Sequence, residues 1–153
     1  MYSPECSQRL AVSKVKVAER GKHAIILNPS HKQFIRTQVD GCLIKGNPAC
    51  DWWIVREDLG SVLIELKGCD VSHALDQIEA TFSHLKQKSV LTHRMAALIV
   101  CRNPPSHPRF TSKLQRAKAR LASHFQAPLH VVCGNYEFEL DCLLSHKGPF
   151  RTV

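Results

Sequence analysis

The run Val62-Leu63-Ile64-Glu65-Leu66 constrains this chain more than any other feature. Every residue in it except Glu65 is apolar, which suits a strand covered on both faces rather than one lying at a surface. Such a strand needs a layer on each side, so a sheet covered on both faces is expected. Side chains alternate along a strand, so Ile64 and Leu66 point one way while Glu65 and Lys67 point the other. A carboxylate inside a covered strand is costly unless it is paired or holds a cation. Just upstream, residues 51–56 (Asp-Trp-Trp-Ile-Val-Arg) read as a second strand, joined to residues 61–67 through Glu57-Asp58-Leu59-Gly60. That hairpin is antiparallel because its connection is short. It carries Asp51 toward Glu65. Two carboxylates can hold a hard cation through oxygen and leave positions for water and a phosphate, and a nearby amine can neutralise charge on that phosphate.

The flanking segments supply the layers. Val71, Ala74, Leu75, Ile78, Phe82 and Leu85 recur at helical spacing and predict a helix over 71–88, capped by Asp70 or Ser72. A second stripe on it, from Asp70 through His73, Gln77 and Thr81 to His84, reads as solvent-facing. Yet the helix leaves directly from Lys67-Gly68, and Gly68 lets the chain bend there, so its first turns should lie beside the acidic corner. Residues 93–101 read as a buried strand and 111–125 as a second helix with Leu114, Ala117, Leu121 and Phe125 on one stripe. Strands are also predicted at 23–27, 33–39, 129–133 and 136–140. Residues 10–20 stay open between two states: Lys14-Val15-Lys16-Val17 alternates like a strand, while the absence of Gly and Pro permits a helix. This order predicts one α/β domain over residues 10–144, a central mixed β-sheet flanked by helices. Residues 1–9 are expected to be weakly ordered, and 145–153 to form a mobile basic tail.

A net charge of +8 and a pI near 9.3 favour a polyanionic partner such as nucleic acid. Lys113, Arg116 and Arg120 line one side of the second helix, and Arg102 and Arg109 flank the Pro-rich loop before it. These five are the candidate nucleic-acid contacts, weighed against the plainer reading of a solvated face. No apolar stretch approaches the roughly 20 residues that cross a bilayer, and the N-terminus lacks the order of a signal peptide. No membrane role and a cytoplasmic location are therefore expected. The seven cysteines form no C-x-x-C pair and read as reduced, buried hydrophobes.

Asp51 followed by Glu65-Leu66-Lys67 resembles the PD-(D/E)xK nuclease superfamily, which includes restriction endonucleases, Holliday junction resolvases and RecB-like nucleases. The likeness rests on residues 51–67 and extends to the next helix, where Gln77 stands where many members carry Gln or Lys. Ala49-Cys50 precede Asp51 in place of the name-giving Pro, with Pro48 close by. The resemblance implies a restriction endonuclease-like core and a metal-dependent endonuclease, a hydrolase of phosphodiester bonds in DNA in preference to RNA. Mg²⁺, or Mn²⁺, would be held by Asp51, Glu65 and the backbone carbonyl of Leu66. Lys67 would position the attacking water, and Gln77 would bond a phosphate or Lys67. The superfamily's preceding helix would nominate Glu19 as a further ligand, and Asp40, which also ends a strand, is the rival for the Asp51 position. The alternative is a catalytically inactive nuclease fold acting as a nucleic-acid-binding or interaction subunit. With no separate substrate reader in the chain, a homodimer or larger assembly is expected.

Overall fold

Period-two alternation near the N-terminus and apolar runs further on sort the chain into two sheets. The computed structural model describes residues 3–67, 70–92, 94–102 and 108–151. The first five strands are β1 (Ser7–Leu10), β2 (Lys14–Glu19), β3 (Lys22–Leu27), β4 (Phe34–Gln38) and β5 (Trp52–Arg56). They are followed by β6 (Gly60–Leu66), helix α1 (Val71–Gln87), β7 (Met95–Cys101) and helix α2 (Pro108–Phe125). The chain closes with β8 (Leu129–Cys133), β9 (Glu137–Phe138) and a single turn, α3 (Leu140–Leu143).

The larger sheet has six strands in the order β1-β4-β5-β6-β7-β8. From β1 to β6 the neighbours are antiparallel, and β6, β7 and β8 run parallel. The change of direction follows from the connections: a short turn serves β5 to β6, whereas the helices α1 and α2 carry the chain back for each parallel step. Both helices cover one face, over Trp53, Leu63, Ala97 and Ile99. The other face, with Ile54, Val62, Ile64 and Leu98, is covered by the three-stranded sheet β2-β3-β9 and by α3. Every residue of β6 and β7 is buried, as the apolar runs require. The alternation also assigns sides. Leu63 packs under the helices, so Glu65, two residues on, faces the helical layer as well.

Several expectations are corrected. Residues 14–19 are a strand, not the helix that the resemblance implies, and Val15 and Val17 alternate inward between exposed lysines. A two-residue turn decides it: Arg20 and Gly21, at φ 47° and 80°, connect Glu19 to its partner Lys22. Positive φ at both central residues matches the twist of a tight hairpin. Ser7, Gln8 and Arg9, expected to be weakly ordered, pair with β4 together with Leu10. The predicted strand 136–140 stops at Phe138, because Leu140, Leu143 and Leu144 recur at helical spacing and bury one turn of helix. In the tail, Phe150 stacks on Phe138 at 5.4 Å and Arg151 pairs with Glu139 at 2.6 Å. The cysteines are not all reduced, since Cys6 and Cys42 form a disulfide that ties the chain before β1 to the turn after β4. Cys50, Cys133 and Cys142 are free thiols, and the sulfurs of Cys101 and Cys133 lie 3.3 Å apart across β7 and β8. Gly68 and Cys69 lie outside the described residues. Among the described residues no helix is long and apolar enough to cross a membrane.

Candidate active site

Register places the two acids opposite each other. Trp52 faces Ile64 at the end of the β5–β6 ladder, so one further step sets Asp51 across from Glu65. There the side chains take over the ladder. The Leu66 amide donates to Asp51 Oδ2 at 2.9 Å, and the Asp51 amide donates to Glu65 Oε2 at 3.0 Å. Each carboxylate thus clasps the other strand with one oxygen. Lys67 Nζ stands 3.9 Å from the second Glu65 oxygen, Oε1.

The electrostatics follow from this crowding. Glu65 is 1 % exposed, and burial, reinforced by the Asp51 charge, pushes its carboxyl up to about 8. Lys67 and the Asp51 amide oppose that shift without cancelling it. Burial also raises the Asp51 carboxyl; the Leu66 amide pulls it back, and the charges of Glu19 and Asp40 push it further up. Both of the outlying acids named from the sequence therefore lie within electrostatic range of Asp51. Asp40 is brought there because its amide donates to the Cys50 carbonyl at 3.1 Å, extending β4 alongside residues 50–51. Glu19 arrives at the end of strand β2 rather than on a helix.

Helix α1 braces the corner. Gln77 is buried, contrary to the solvent-facing reading of its stripe, and so is Thr81. Gln77 Oε1 accepts from Lys67 Nζ at 3.4 Å while Nε2 donates to the Ala49 carbonyl at 3.0 Å. Thr81 Oγ1 donates to the Gln77 carbonyl and accepts from the Cys50 amide, both at 2.8 Å. The helix is thereby fixed to the two residues preceding Asp51 as well as to Lys67. Cys50, fully buried here, has its thiol pushed far above the usual range by burial and is inert. Replacing Gln77 with Ala orphans the buried Ala49 carbonyl and is expected to cost about 1–3 kcal/mol of stability. Divalent-metal affinity, read by titration calorimetry, should stay close to wild type. A fall as deep as that caused by Asp51→Asn would make Gln77 part of the ligand set.

The basic stripe of α2 looks different in three dimensions. Lys113 Nζ pairs with Asp76 at 2.9 Å and bonds Ser72 Oγ at 2.7 Å. Arg120 makes a two-pronged contact with Glu79, at 2.6 and 2.8 Å. Two of the three cations thus bridge α2 to α1, while Arg116 is exposed. Arg102 is exposed directly after β7, at the end of the sheet where the Lys67 amide meets the Val100 carbonyl. The Arg109 side chain lies outside the described residues. Neutralising Lys113, Arg116 and Arg120 together should therefore lower the log–log salt slope of duplex DNA binding by about one contact, roughly 0.9, rather than three. A drop near three in a salt titration would show that the ion pairs open on binding.

The donor set suits a small hard cation in one respect. Mg²⁺ commonly binds through one or two carboxylates and keeps water or phosphate in its other positions, and Asp51 and Glu65 offer two carboxylates side by side whose mutual repulsion a cation would relieve as Glu65 gives up its proton. Among the described residues no group of three or more His, Cys, Asp or Glu side chains is placed to hold a metal ion. Compared with known protein families, curated proteins and solved structures, the chain matches none.

Proposed function

We propose that this chain is a metal-dependent nuclease that hydrolyses phosphodiester bonds, in DNA in preference to RNA. The observation that carries the reading is Glu65: a carboxylate buried within the sheet, opposite a second carboxylate, with an amine 3.9 Å away. Asp51 and Glu65, with the Leu66 carbonyl, would hold Mg²⁺ or Mn²⁺. A cation held there would supply Lewis acidity toward a water and a phosphoryl oxygen. The chain's own part is orientation. Lys67, steadied by Gln77, directs its ammonium toward the space beside Glu65 Oε1, where it can align the attacking water and offset charge growing on the phosphate. Because the Asp51–Leu66 and Glu65–Asp51 bonds fix both carboxylates before substrate arrives, little reorganisation accompanies the reaction.

A second reading has its own observation. Each carboxylate already accepts a backbone amide, which makes the pair a structural clasp even without chemistry. A non-catalytic nucleic-acid-binding or interaction subunit would use it that way.

One experiment separates the two. Labelled linear, circular, single-stranded and branched DNA, and RNA, are incubated with the protein in Mg²⁺, Mn²⁺ or EDTA, with Asp51→Asn in parallel. Melting of both proteins is followed with and without the metals. Metal-dependent cleavage and metal-induced stabilisation, both lost in Asp51→Asn, are the expected result. Neither effect in the wild type leaves the clasp as the sole role.

A further inference from the structure

A second cationic site lies away from the acidic corner, at the free edge of the larger sheet. There the later half of α2, the beginning of β8 and residues 146–149 enclose a cavity of about 360 Å³. That volume falls at the small end of the range for ligand pockets. β8 is the last strand in the sheet order, so β7 separates the cavity from β6 and Glu65.

Its lining is one-sided in charge. Lys118, His130, His146 and Lys147 face it, and no Asp or Glu does. The contrast with the rest of α2 is informative. Lys113 and Arg120 on the same helix are neutralised by acids of α1, whereas among the described residues neither Lys118 nor Lys147 has an ion-pair partner. Two unpaired lysines sharing a concave surface repel each other and attract an anion.

His130 makes the site a built one. The residue is 7 % exposed, and its ring is anchored through Nε2, which lies 2.7 Å from the Leu143 carbonyl. A carbonyl only accepts, so Nε2 carries the proton and Nδ1 is the nitrogen that can take a second one. Burial first, then the charges of Lys118 from α2 and His146 from the tail, hold this imidazole below its usual pKa, against the opposing Leu143 carbonyl of α3. An anion in the cavity reverses the effect of those two charges and allows His130 to become a second N–H donor.

We propose that this cavity is a binding site for a phosphate group, presented by a mononucleotide-sized ligand or by a nucleic-acid strand. Lys118 and Lys147 supply the charge, and His130, once protonated, adds an N–H donor. The proposal does not depend on metal chemistry at Asp51 and Glu65, and it stands if the nuclease reading fails.

The test uses the full chain and inorganic phosphate, at ionic strength matched with sodium chloride. The His130 imidazole is followed by NMR, and its titration midpoint should rise as phosphate saturates. In Lys118→Ala/Lys147→Ala the phosphate Kd should weaken by about tenfold or more, the usual consequence of losing charge-assisted bonds. Both lysines are outside the core, so the variant should melt within a few degrees of wild type. A mononucleotide and a short single-stranded oligonucleotide are then compared on the same pair of proteins. Weakening of the mononucleotide alone assigns the phosphate to a small ligand, and equal weakening of the oligonucleotide assigns it to a strand. The absence of a saturable His130 response to all three probes, or an unchanged Kd in the double variant, overturns the site.

Discussion

Glu65→Gln is expected to remove metal-dependent cleavage and, in the metal-free protein, to raise stability. The amide side chain keeps an oxygen that accepts from the Asp51 amide, so the clasp survives, while the charge that would bind the metal is gone. Losing one of two anionic ligands should slow cleavage by on the order of 10³-fold, roughly 4 kcal/mol of transition-state stabilisation. The stability effect has a defined pH window. Glu65 titrates near 8 in the fold against an ordinary value of 4.5, so the folded protein binds the extra proton between those limits. The stability contributed by that proton is fully present below about pH 4.5 and is lost as pH rises through about 8. The substituted amide does not titrate, so the variant has no such contribution to lose. It should therefore gain on the wild type progressively from about pH 5 to about pH 8 and level off above, by an amount on the order of 3–5 kcal/mol at the plateau. Denaturant unfolding in EDTA across that range measures it. Parallel stability profiles for the two proteins would mean that Glu65 carries no electrostatic burden, and retained cleavage would remove it from the site.

The other large effect concerns the disulfide. Cys6 and Cys42 close a loop with a sequence separation of 36, and a cross-link of that span restricts the unfolded chain by about 4 kcal/mol. Cys6→Ser/Cys42→Ser should lose a sizeable part of that, with the melting temperature falling by roughly 8–15 °C for a chain of this length. Most of the loosening should appear at β1, the edge strand that the bond anchors beside β4. Hydrogen exchange on the amides of residues 7–10 reads this directly. Unchanged melting together with unchanged exchange would show that the pairing of β1 with β4 is enough to hold the edge.

How much of this was visible in the sequence depends on whether the deciding contact is local. The β5–β6 hairpin, α1 and β7 are legible because an apolar run or a 3.6-residue stripe is a statement about burial itself. Opposition of Asp51 and Glu65 follows from the hairpin's length. The β2–β3 hairpin turns on Arg20 adopting positive φ, which composition does not advertise. Gln77 and Thr81 read as a polar, exposed stripe, and only the seating of α1 over residues 49–50 reveals two polar groups satisfied inside. Lys113 and Arg120 meet acids on another helix, so no window along α2 alone distinguishes a phosphate contact from an internal bridge. The disulfide joins segments that lack any close Cys spacing, which left its partners unmarked.

The mutual clasp of Asp51 and Glu65 bears on how such a corner is inherited. Both acids satisfy backbone amides that the hairpin end would otherwise leave without partners, so selection for folding alone retains an oxygen acceptor at each position. Lys67 is held by a long 3.4 Å bond to Gln77 and has 28 % of its side chain exposed, so the architecture scarcely needs it. A descendant released from chemistry would keep those acceptors, with Gln as good as Glu at position 65, and let Lys67 drift. On the nuclease reading, Lys67 and a charged residue 65, rather than the acceptors as such, mark a descendant in which chemistry is still under selection.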